Sequence, residues 1–357
     1  MTERQAYIAF NLTERVGSVT LERMIAKYGS AVAAWEVFPN KVTSYEKAVD
    51  WQGEEALAEK YHVRLVTAID PEYPVRLKDL ASYPLVLYVR GSVEALSVPG
   101  VAMVGTRRAT PYGLDIAQRF AYGLASAGLS VISGLALGID AASHRGALDA
   151  LGVTVGVIGS GLDRFYPERN RELAREIVAK GGAVVSEFPF GRSADQTTFP
   201  IRNHVVAALA RVVLAVEAPL KSGTLITTGI AAELGRTVLA VPARIDSRMS
   251  AGCLELIREG ATLVRSVDDI LEEVNGYRAK TSASVEKSEV DPQTPPYSPE
   301  EALIMLHVDT EPISIDTLVA EVGMPVDEVN AIVMGLRLKG FVKFLPGNRI
   351  SLLTSRI

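Results

Sequence analysis

Between Val101 and Pro242 the chain repeats one device: a short apolar run, a glycine-marked turn, then a stretch long enough for a helix. The runs are Val101–Gly105, Leu129–Gly134, Val153–Gly159, Val184–Pro189, Val212–Ala218 and Thr237–Pro242. Apolar runs bounded in this way and separated by helix-length segments predict buried parallel strands in repeated strand–helix units. The fold class that follows is α/β, a doubly wound and mostly parallel sheet. In such sheets the loops at the carboxyl ends of the strands gather on one rim, and ligands bind there. On this topology Arg107, Ser133, Asp140, Ser160, Asp163, Glu187 and Ser222 are expected along a single crevice.

The composition fits that frame. Hydrophobic residues make up 48% of the chain and aromatics only 6%, the balance of a sheet built from Val, Ile, Leu and Ala. With 357 residues there is room for one large domain of roughly 150–200 residues and smaller modules beside it. The lone cysteine, Cys253, excludes an internal disulfide and a multi-cysteine zinc site. The opening Met1-Thr2-Glu3-Arg4 carries charge where a secretory signal needs an apolar core. No uncharged apolar run approaches the ~20 residues that span a bilayer. The expectation is a soluble, cytoplasmic protein with no membrane partner. A net charge of −5 argues against bulk attraction to nucleic acid, but net charge is silent about a local patch. Arg107, Arg108, Arg164, Arg169, Arg202, Lys221, Arg244 and Arg248 all fall in or beside the rim loops, whereas many acids fall in the outer segments.

Three modules and a linker are expected. Residues 1–65 carry short helical patterns at Arg4–Phe10, Leu21–Tyr28, Ala31–Phe38 and Gly53–Lys60, the second stopped by Gly29. They suggest a small SAM-like or degenerate helix-hairpin-helix domain, serving either phosphate contact or packing. Residues 66–278 form the extended α/β domain, with its core at 100–275 after a proline-broken connector. Residues 279–299 hold serine, charge and proline and little to bury, the composition of a flexible linker. Residues 300–357 present helices at Ala302–Leu306, Ile315–Val322 and Val326–Lys339, then strands at Phe341–Leu345 and Arg349–Leu353 around Pro346-Gly347-Asn348. That order is a winged helix. Its third helix opens with Asp327 and Glu328, where a major-groove reader needs arginine or asparagine. A protein-docking or structural role is therefore expected of it.

The rim excludes several chemistries. Its first strand leads into Gly105-Thr106-Arg107-Arg108 instead of the G-x-G-x-x-G that cradles a dinucleotide, and neither a Walker A nor a G-x-S-x-G sequence occurs. The four histidines show no metal-ligand pairing, so no catalytic residue, metal or cofactor is expected. Two loops suit an anion instead. Gly105-Thr106-Arg107 joins backbone N–H groups to a guanidinium fork, and Lys221-Ser222-Gly223-Thr224 opens a helix beside a lysine. Two anion sites on one rim, without a nucleotide clamp, fit a sugar-phosphate backbone laid across the loops. Phe199 precedes a helix expected to begin near Ile201. It is either a platform for an unpaired base or a hydrophobic staple that sets the helix angle. Asp140 and Asp163 are expected to accept loop amides or cap helices, and Glu187 and Glu217 to pair with rim arginines.

Together these loops resemble the DNA-processing protein A (DprA, also called Smf) family. The likeness rests on Gly105-Thr106-Arg107, on Ser133–Leu148 with Gly138-Ile139-Asp140, and on Gly159–Asp163 followed by Tyr166-Pro167 and Asn170. It continues through Ser186-Glu187-Phe188-Pro189, Phe199–Asn203, Glu217 with Ser222–Thr227, and Ala240–Pro242. The resemblance implies a Rossmann-like protein that binds single-stranded DNA, forms a homodimer and loads the recombinase RecA onto the strand during natural transformation, with no reaction of its own. It implies that Arg107 contacts phosphate, Phe199 stacks near a base and Arg202 contributes to a basic pocket. Gly161 and Thr224-Leu225-Ile226 would line the groove through their backbone, and Gly105, Thr106, Asn203, Lys221, Ser222 and Gly223 complete the expected nucleic-acid site. His204 stands where the family often has arginine, and Gln196 where a basic residue can occur, which lowers the affinity to be expected. The family alone puts the dimer contact around Leu254–Ile270. The rival from another class is a Rossmann-like nucleotide phosphoribohydrolase. It would need Pro-Gly-Gly-x-Gly-Thr and a catalytic glutamate, where this chain has Lys221-Ser222-Gly223-Thr224 and a Glu233 placed late in the next helix.

Overall fold

The central apolar runs lie side by side because both faces of each strand are covered: Val101, Ala102 and Met103 are fully buried, and so are Val213, Leu214 and Ala215. The computed structural model describes residues 1–38, 48–274, 298–309, 311–339, 341–345 and 349–352. The chain divides into two compact units, Met1–Thr281 and Ser282–Ile357.

The first unit opens with helices α1 (Glu3–Leu12), α2 (Ser18–Tyr28), α3 (Ala31–Val37) and α4 (Trp51–Lys60). Thr2 and Gln5 close a capping box on α1, and Gly29 ends α2 in the left-handed region. Strands β1 (Arg64–Thr67) and β2 (Val86–Gly91) follow as an antiparallel pair. Then come β3 (Gly100–Gly105), α5 (Pro111–Ser126), β4 (Ser130–Ser133), α6 (Ile139–Asp149), β5 (Thr154–Val157), α7 (Arg171–Ala179) and β6 (Ala183–Ser186). The unit continues with α8 (Thr198–Leu209), β7 (Val212–Glu217), α9 (Gly223–Glu233), β8 (Thr237–Ala240), α10 (Ala251–Arg258), β9 (Thr262–Leu263) and α11 (Val267–Glu273). Among the described residues these strands form one nine-stranded sheet in the order β1-β2-β6-β5-β4-β3-β7-β8-β9. Every neighbouring pair from β6 across to β9 is parallel, and β2 joins β6 antiparallel. The doubly wound, mostly parallel class expected from the sequence is the one observed.

The chain steps from β3 to β4, β5 and β6 on one side, then crosses back to β7, β8 and β9 on the other. A crevice opens at the carboxyl ends of the two strands where the winding reverses, here β3 and β7. Their register also slips between Val104 and Gly105, which loosens the pair where the crevice begins. Alternation along β3 sends Val101 and Met103 into one helical layer with Ile116, Phe120 and Ile270. Ala102 and Val104 enter the other, with Val205, Val206 and Ile230. The amino-terminal helices extend this second layer, since Ile8, Phe10 and Leu21 share a core with Leu87 and Tyr88 of β2. Residues 1–65 therefore do not stand apart as the expected separate domain. Helices this short bury little by themselves, and the β1–β2 end of the sheet completes their core.

The second unit contains α12 (Pro299–Met305), β10 (Ile313–Ser314), α13 (Ile315–Val322), α14 (Val326–Leu338), β11 (Val342–Leu345) and β12 (Arg349–Leu352). Its strands pair antiparallel in the order β10-β12-β11, a winged helix around Ile304, Ile315, Leu318, Val329, Val333 and Leu336. Ser298 and Glu301 form a capping box on α12, so the first helix starts ahead of the expected Ala302. The expected linker 279–299 lies, up to residue 297, outside the described residues, as does the turn Pro346-Gly347-Asn348. Among the described residues no helix is long and apolar enough to cross a membrane.

Candidate functional site

Four segments converge on the β3–β7 crevice around a cleft of about 450 Å³. The loop after β3 contributes Gly105, Thr106, Arg107 and Arg108, and the turn after β4 contributes Gly134 and Ala136, with Asp140 beyond them on α6. The first turns of α8 bring Phe199, Arg202 and Asn203, and the start of α9 brings Lys221, Ser222, Gly223, Thr224 and Ile226.

The β3 loop is held from three sides. The Thr106 N–H donates to the Glu217 carbonyl at 2.7 Å, and the Ile139 N–H donates to the Thr106 carbonyl at 3.2 Å. Thr106 Oγ1 accepts the Arg108 N–H at 3.1 Å, a turn that a threonine hydroxyl closes locally. The buried Glu217 carboxylate accepts both the N–H and the hydroxyl of Thr110 at 2.8 Å, while Thr110 caps α5. At Gly138 the backbone takes φ 79° and a side chain would run into the Thr106 carbonyl, so glycine is required there. This stitching leaves the Arg107 side chain exposed and, among the described residues, without an ion pair.

Arg107 lays its guanidinium over the Phe199 ring, 4.8 Å from the centroid, within reach of a cation–π contact. Helix α8 starts at Thr198 and not near Ile201, because Asp195 Oδ1 accepts the N–H groups of Thr197 at 2.7 Å and Thr198 at 3.1 Å. Phe199 thus lies inside the first turn. A staple residue sits ahead of the cap, so Phe199 is not a staple.

Arg202 lines the floor of the cleft from a buried position. It is 5% exposed, and its Nη1 donates to the carbonyls of Gly134 and Val157, the latter at 2.6 Å. Its Nε, also buried, has no hydrogen-bond partner among the described residues. Burial lowers its pKa to about 10, against the pull of nearby Asp140, so it stays cationic at neutral pH. Asp140 accepts the Ala136 N–H at 3.3 Å, and burial raises its pKa while Arg202 draws it down. The two residues form a polar floor under an exposed rim.

Helix α9 begins after Ser222, whose side chain makes no capping bond and whose Oγ is buried without a partner among the described residues. The first N–H groups of a helix have no intrahelical acceptor, and Gly223 and Thr224, which carry them here, line the cleft beside the exposed Lys221. Asn203 Nδ2 reaches the Gly223 carbonyl at 3.5 Å and links α8 to α9.

Other expected positions fall elsewhere. Gly161 is buried, and its N–H donates to the Arg192 carbonyl at 2.8 Å, so that backbone is spent outside the cleft. Leu225 lines a separate groove with Leu220, Thr228 and Leu256. Ser133 donates to the Met103 carbonyl at 2.6 Å, and the Ser160 carbonyl accepts from Ser186 at 2.7 Å. Of the residues expected along one crevice, only Arg107, Asp140 and Ser222 meet in it. Asp163, like Asp140, accepts a loop amide, that of Gly191, at 2.9 Å. Among the described residues the expected pairing of Glu217 and Glu187 with rim arginines is not made: Glu217 holds Thr110, and Glu187 Oε1 is buried without a partner. Sequence reasoning gave no role to Tyr166, whose ring lies 6.0 Å from that of Phe199. Nor did it to Asn170, whose Nδ2 donates to the carbonyls of Leu135 at 2.8 Å and Ala136 at 3.0 Å. The aromatic in Tyr166-Pro167-Glu168-Arg169-Asn170 was the available signal.

A doubly wound sheet with an anion-suited cleft at its switch point, joined in one chain to a winged helix, defines a recognisable class of protein. The family model described as DNA recombination-mediator protein A matches residues 64–275, and that of the DprA winged helix domain matches residues 288–348. The chain belongs to the DNA recombination-mediator protein A (DprA/Smf) family. Protein Smf of Synechocystis is 30% identical over 98% of both chains, and protein Smf of Escherichia coli is 35% identical over 88% of this chain and 82% of its own. DNA processing protein A from Streptococcus pneumoniae has a solved structure with a TM-score of 0.62 and 31% identity, covering 76% of this chain and 98% of that one. The Helicobacter pylori protein, whose structure is described by its single-stranded DNA binding mode, gives 0.54 and 30%, covering 59% and 96%.

Proposed function

We propose that this chain binds single-stranded DNA across the β3–β7 cleft and delivers the strand to the recombinase RecA during natural transformation. The contacts would come from Gly105, Thr106, Arg107, Phe199, Asn203 and Lys221–Thr224. One observation carries the reading: an aromatic ring, a guanidinium stacked on it without an ion pair among the described residues, and a helix start flanked by lysine meet in one open cleft. Phosphate oxygens take the N–H and guanidinium donors, and an unpaired base takes the ring. A duplex keeps its bases stacked on one another and offers no such face. Family membership and the binding mode named for the Helicobacter pylori protein support the same reading.

Binding without a reaction is the form we favour. Asp140 is the one carboxylate among the residues lining the cleft, and it is buried and engaged with Ala136. The phosphoribohydrolase alternative needs a glutamate at the start of α9, whereas Glu233 ends that helix, ~15 Å from its beginning at 1.5 Å per residue. Homodimer formation would use the β9 end of the sheet, where a two-residue edge strand leaves Leu263 41% exposed.

The test is fluorescence anisotropy of labelled single- and double-stranded oligonucleotides across a salt series. A preference for the single strand that weakens steeply with salt is expected. No binding by the wild type at low salt would sink the reading, and nucleotide hydrolysis would become the assay to run. Sedimentation addresses the dimer, and RecA filament assembly on protein-coated strand addresses the hand-over.

A further inference from the structure

The loop after β5 brings a second aromatic to the cleft. Tyr166 is 50% exposed, and its ring stands 6.0 Å from that of Phe199 at an angle of 47°. The two rings do not offer equal surfaces. Phe199 is half-buried and already carries the Arg107 guanidinium at 4.8 Å, whereas Tyr166 keeps an open face. Rings tilted at this angle cannot clamp one base between parallel planes; they present adjacent facets for two.

The loop that carries Tyr166 is fixed in place. Asn170 ties it to the β4 turn through the Leu135 and Ala136 carbonyls, and Phe165 beside it is buried. A recess of about 80 Å³ is lined by Tyr166, Phe199, Gly134, Ala136 and Gly159, and it shares Arg107 and Arg202 with the main cleft. Past the tyrosine the exposed Arg169 continues the basic character of the rim.

We propose that Tyr166 is a second stacking platform for single-stranded DNA, taking the nucleotide next to the one on Phe199, so that the strand leaves the β3–β7 crevice toward the β5 loop. This rests on the cleft being a single-strand site, and it adds a residue and a direction to that reading. The contact would tolerate any base, since every base has a π-face. It would also be insensitive to salt, because tyrosine neutralises no phosphate.

The experiment is an abasic scan with the full-length protein. A labelled oligothymidylate no longer than the footprint carries one abasic position, moved along the strand, and its affinity is measured by anisotropy. Wild type is compared with Tyr166→Ala, Tyr166→Phe and Phe199→Ala. Wild type should lose affinity at two neighbouring positions. Tyr166→Ala should bind the intact strand about 5- to 100-fold more weakly with an unchanged salt slope. It should also become indifferent to an abasic site at one of those positions, and Phe199→Ala at the other. Tyr166→Phe should behave as wild type. If Tyr166→Ala binds the intact strand normally, or if both alanine variants silence the same position, Tyr166 is no platform or only a prop for Phe199, and the single-strand reading survives. A wild type that binds no strand overturns that reading and this proposal together.

Discussion

Among the described residues neither helix α9 nor helix α14 has a side-chain cap on its first N–H groups, and the two helix starts are treated in opposite ways. Helix α9 opens behind Lys221 with no acid in its first turn, whereas α14 carries Asp327 and Glu328 there. A helix start bears a partial positive charge that favours an anion. In α14 the chain supplies that anion itself; in α9 the charge is left for something from outside. The cores differ in the same sense. Around the cleft Asp140, Arg202 and Glu217 are buried, while the winged helix is centred on Ile304, Ile315, Leu318, Val329, Val333 and Leu336 and buries one acid, Glu301, paired with Lys339. Burying ionisable groups costs free energy unless they are paired and hydrogen-bonded. Their concentration under one rim marks where the position of polar atoms outweighs the gain from apolar packing.

The sharpest way to break this contrast is to remove the charge from the cleft floor. Arg202→Met leaves the carbonyls of Gly134 and Val157 without their donor and Asp140 without its neighbouring cation. A loss of about 3–5 kcal/mol is expected, since two buried carbonyls each lose a charged donor worth about 1.5–3 kcal/mol, and urea denaturation measures it. A loss below about 1 kcal/mol would mean that the floor needs charge no more than the winged-helix core does.

Glu187 adds a pH dependence opposite in sign to that of Glu301, the buried acid of the winged helix, whose pKa the Lys339 ammonium lowers. Burial pushes its pKa up to about 7 from an ordinary 4.5. Below pH 4.5 the carboxyl is protonated in both folded and unfolded chains and costs nothing. Between 4.5 and 7 the unfolded chain ionises while the folded one holds its proton, so stability falls as pH rises. Above 7 the penalty is complete, up to about 3 kcal/mol. Glu187→Gln should therefore equal wild type near pH 4.5 and gain stability progressively toward pH 8. A difference that stays flat between pH 5 and pH 8 would show that the carboxyl is not held neutral.

A smaller effect compares two similar pairs. Arg107 covers Phe199 in the cleft at 4.8 Å, and Arg337 covers Phe344 in the winged helix at 5.1 Å. If surroundings and not the pair itself make a binding site, Arg107→Ala should weaken single-strand binding about tenfold and shallow its salt slope by about one phosphate. Arg337→Ala should change neither. Equal losses from the two variants would abolish the distinction between the units.

These residues also show what was legible in the sequence. The strands were, because Val101–Gly105 or Val212–Glu217 can only be buried on both faces, and the reversal at β3 then locates the crevice. Arg107, Phe199 and Lys221–Thr224 were legible because loop residues at strand ends and helix starts announce themselves locally. The support beneath them was not. Glu217 and Thr110 are far apart in sequence and meet only through the β3–β7 pairing, and Arg202 looks like any rim arginine until α8 is seen to begin at Thr198 and turn it inward. Gly161 misled for the converse reason: a glycine in a rim loop suggests an open backbone, but this one is closed by Arg192.

The smallest predicted effect tests the winged helix by itself. Asp327→Asn combined with Glu328→Gln removes both carboxylates from the first turn of α14 while keeping side chains of similar size. Both acids are exposed, so each contributes near the low end of the range for a helix start, about 0.3–0.5 kcal/mol at low salt, and the double variant should destabilise the winged helix by about 0.6–1 kcal/mol, a modest fall in its melting temperature. Single-strand affinity of the full chain should stay within twofold of wild type, because the acids answer their own helix and guard no DNA site. A clear rise in affinity would mean that these carboxylates had been repelling nucleic acid. Helix α14 would then be a second DNA-facing helix start masked by its own acids, and its difference from α9 would be one of regulation and no longer one of kind.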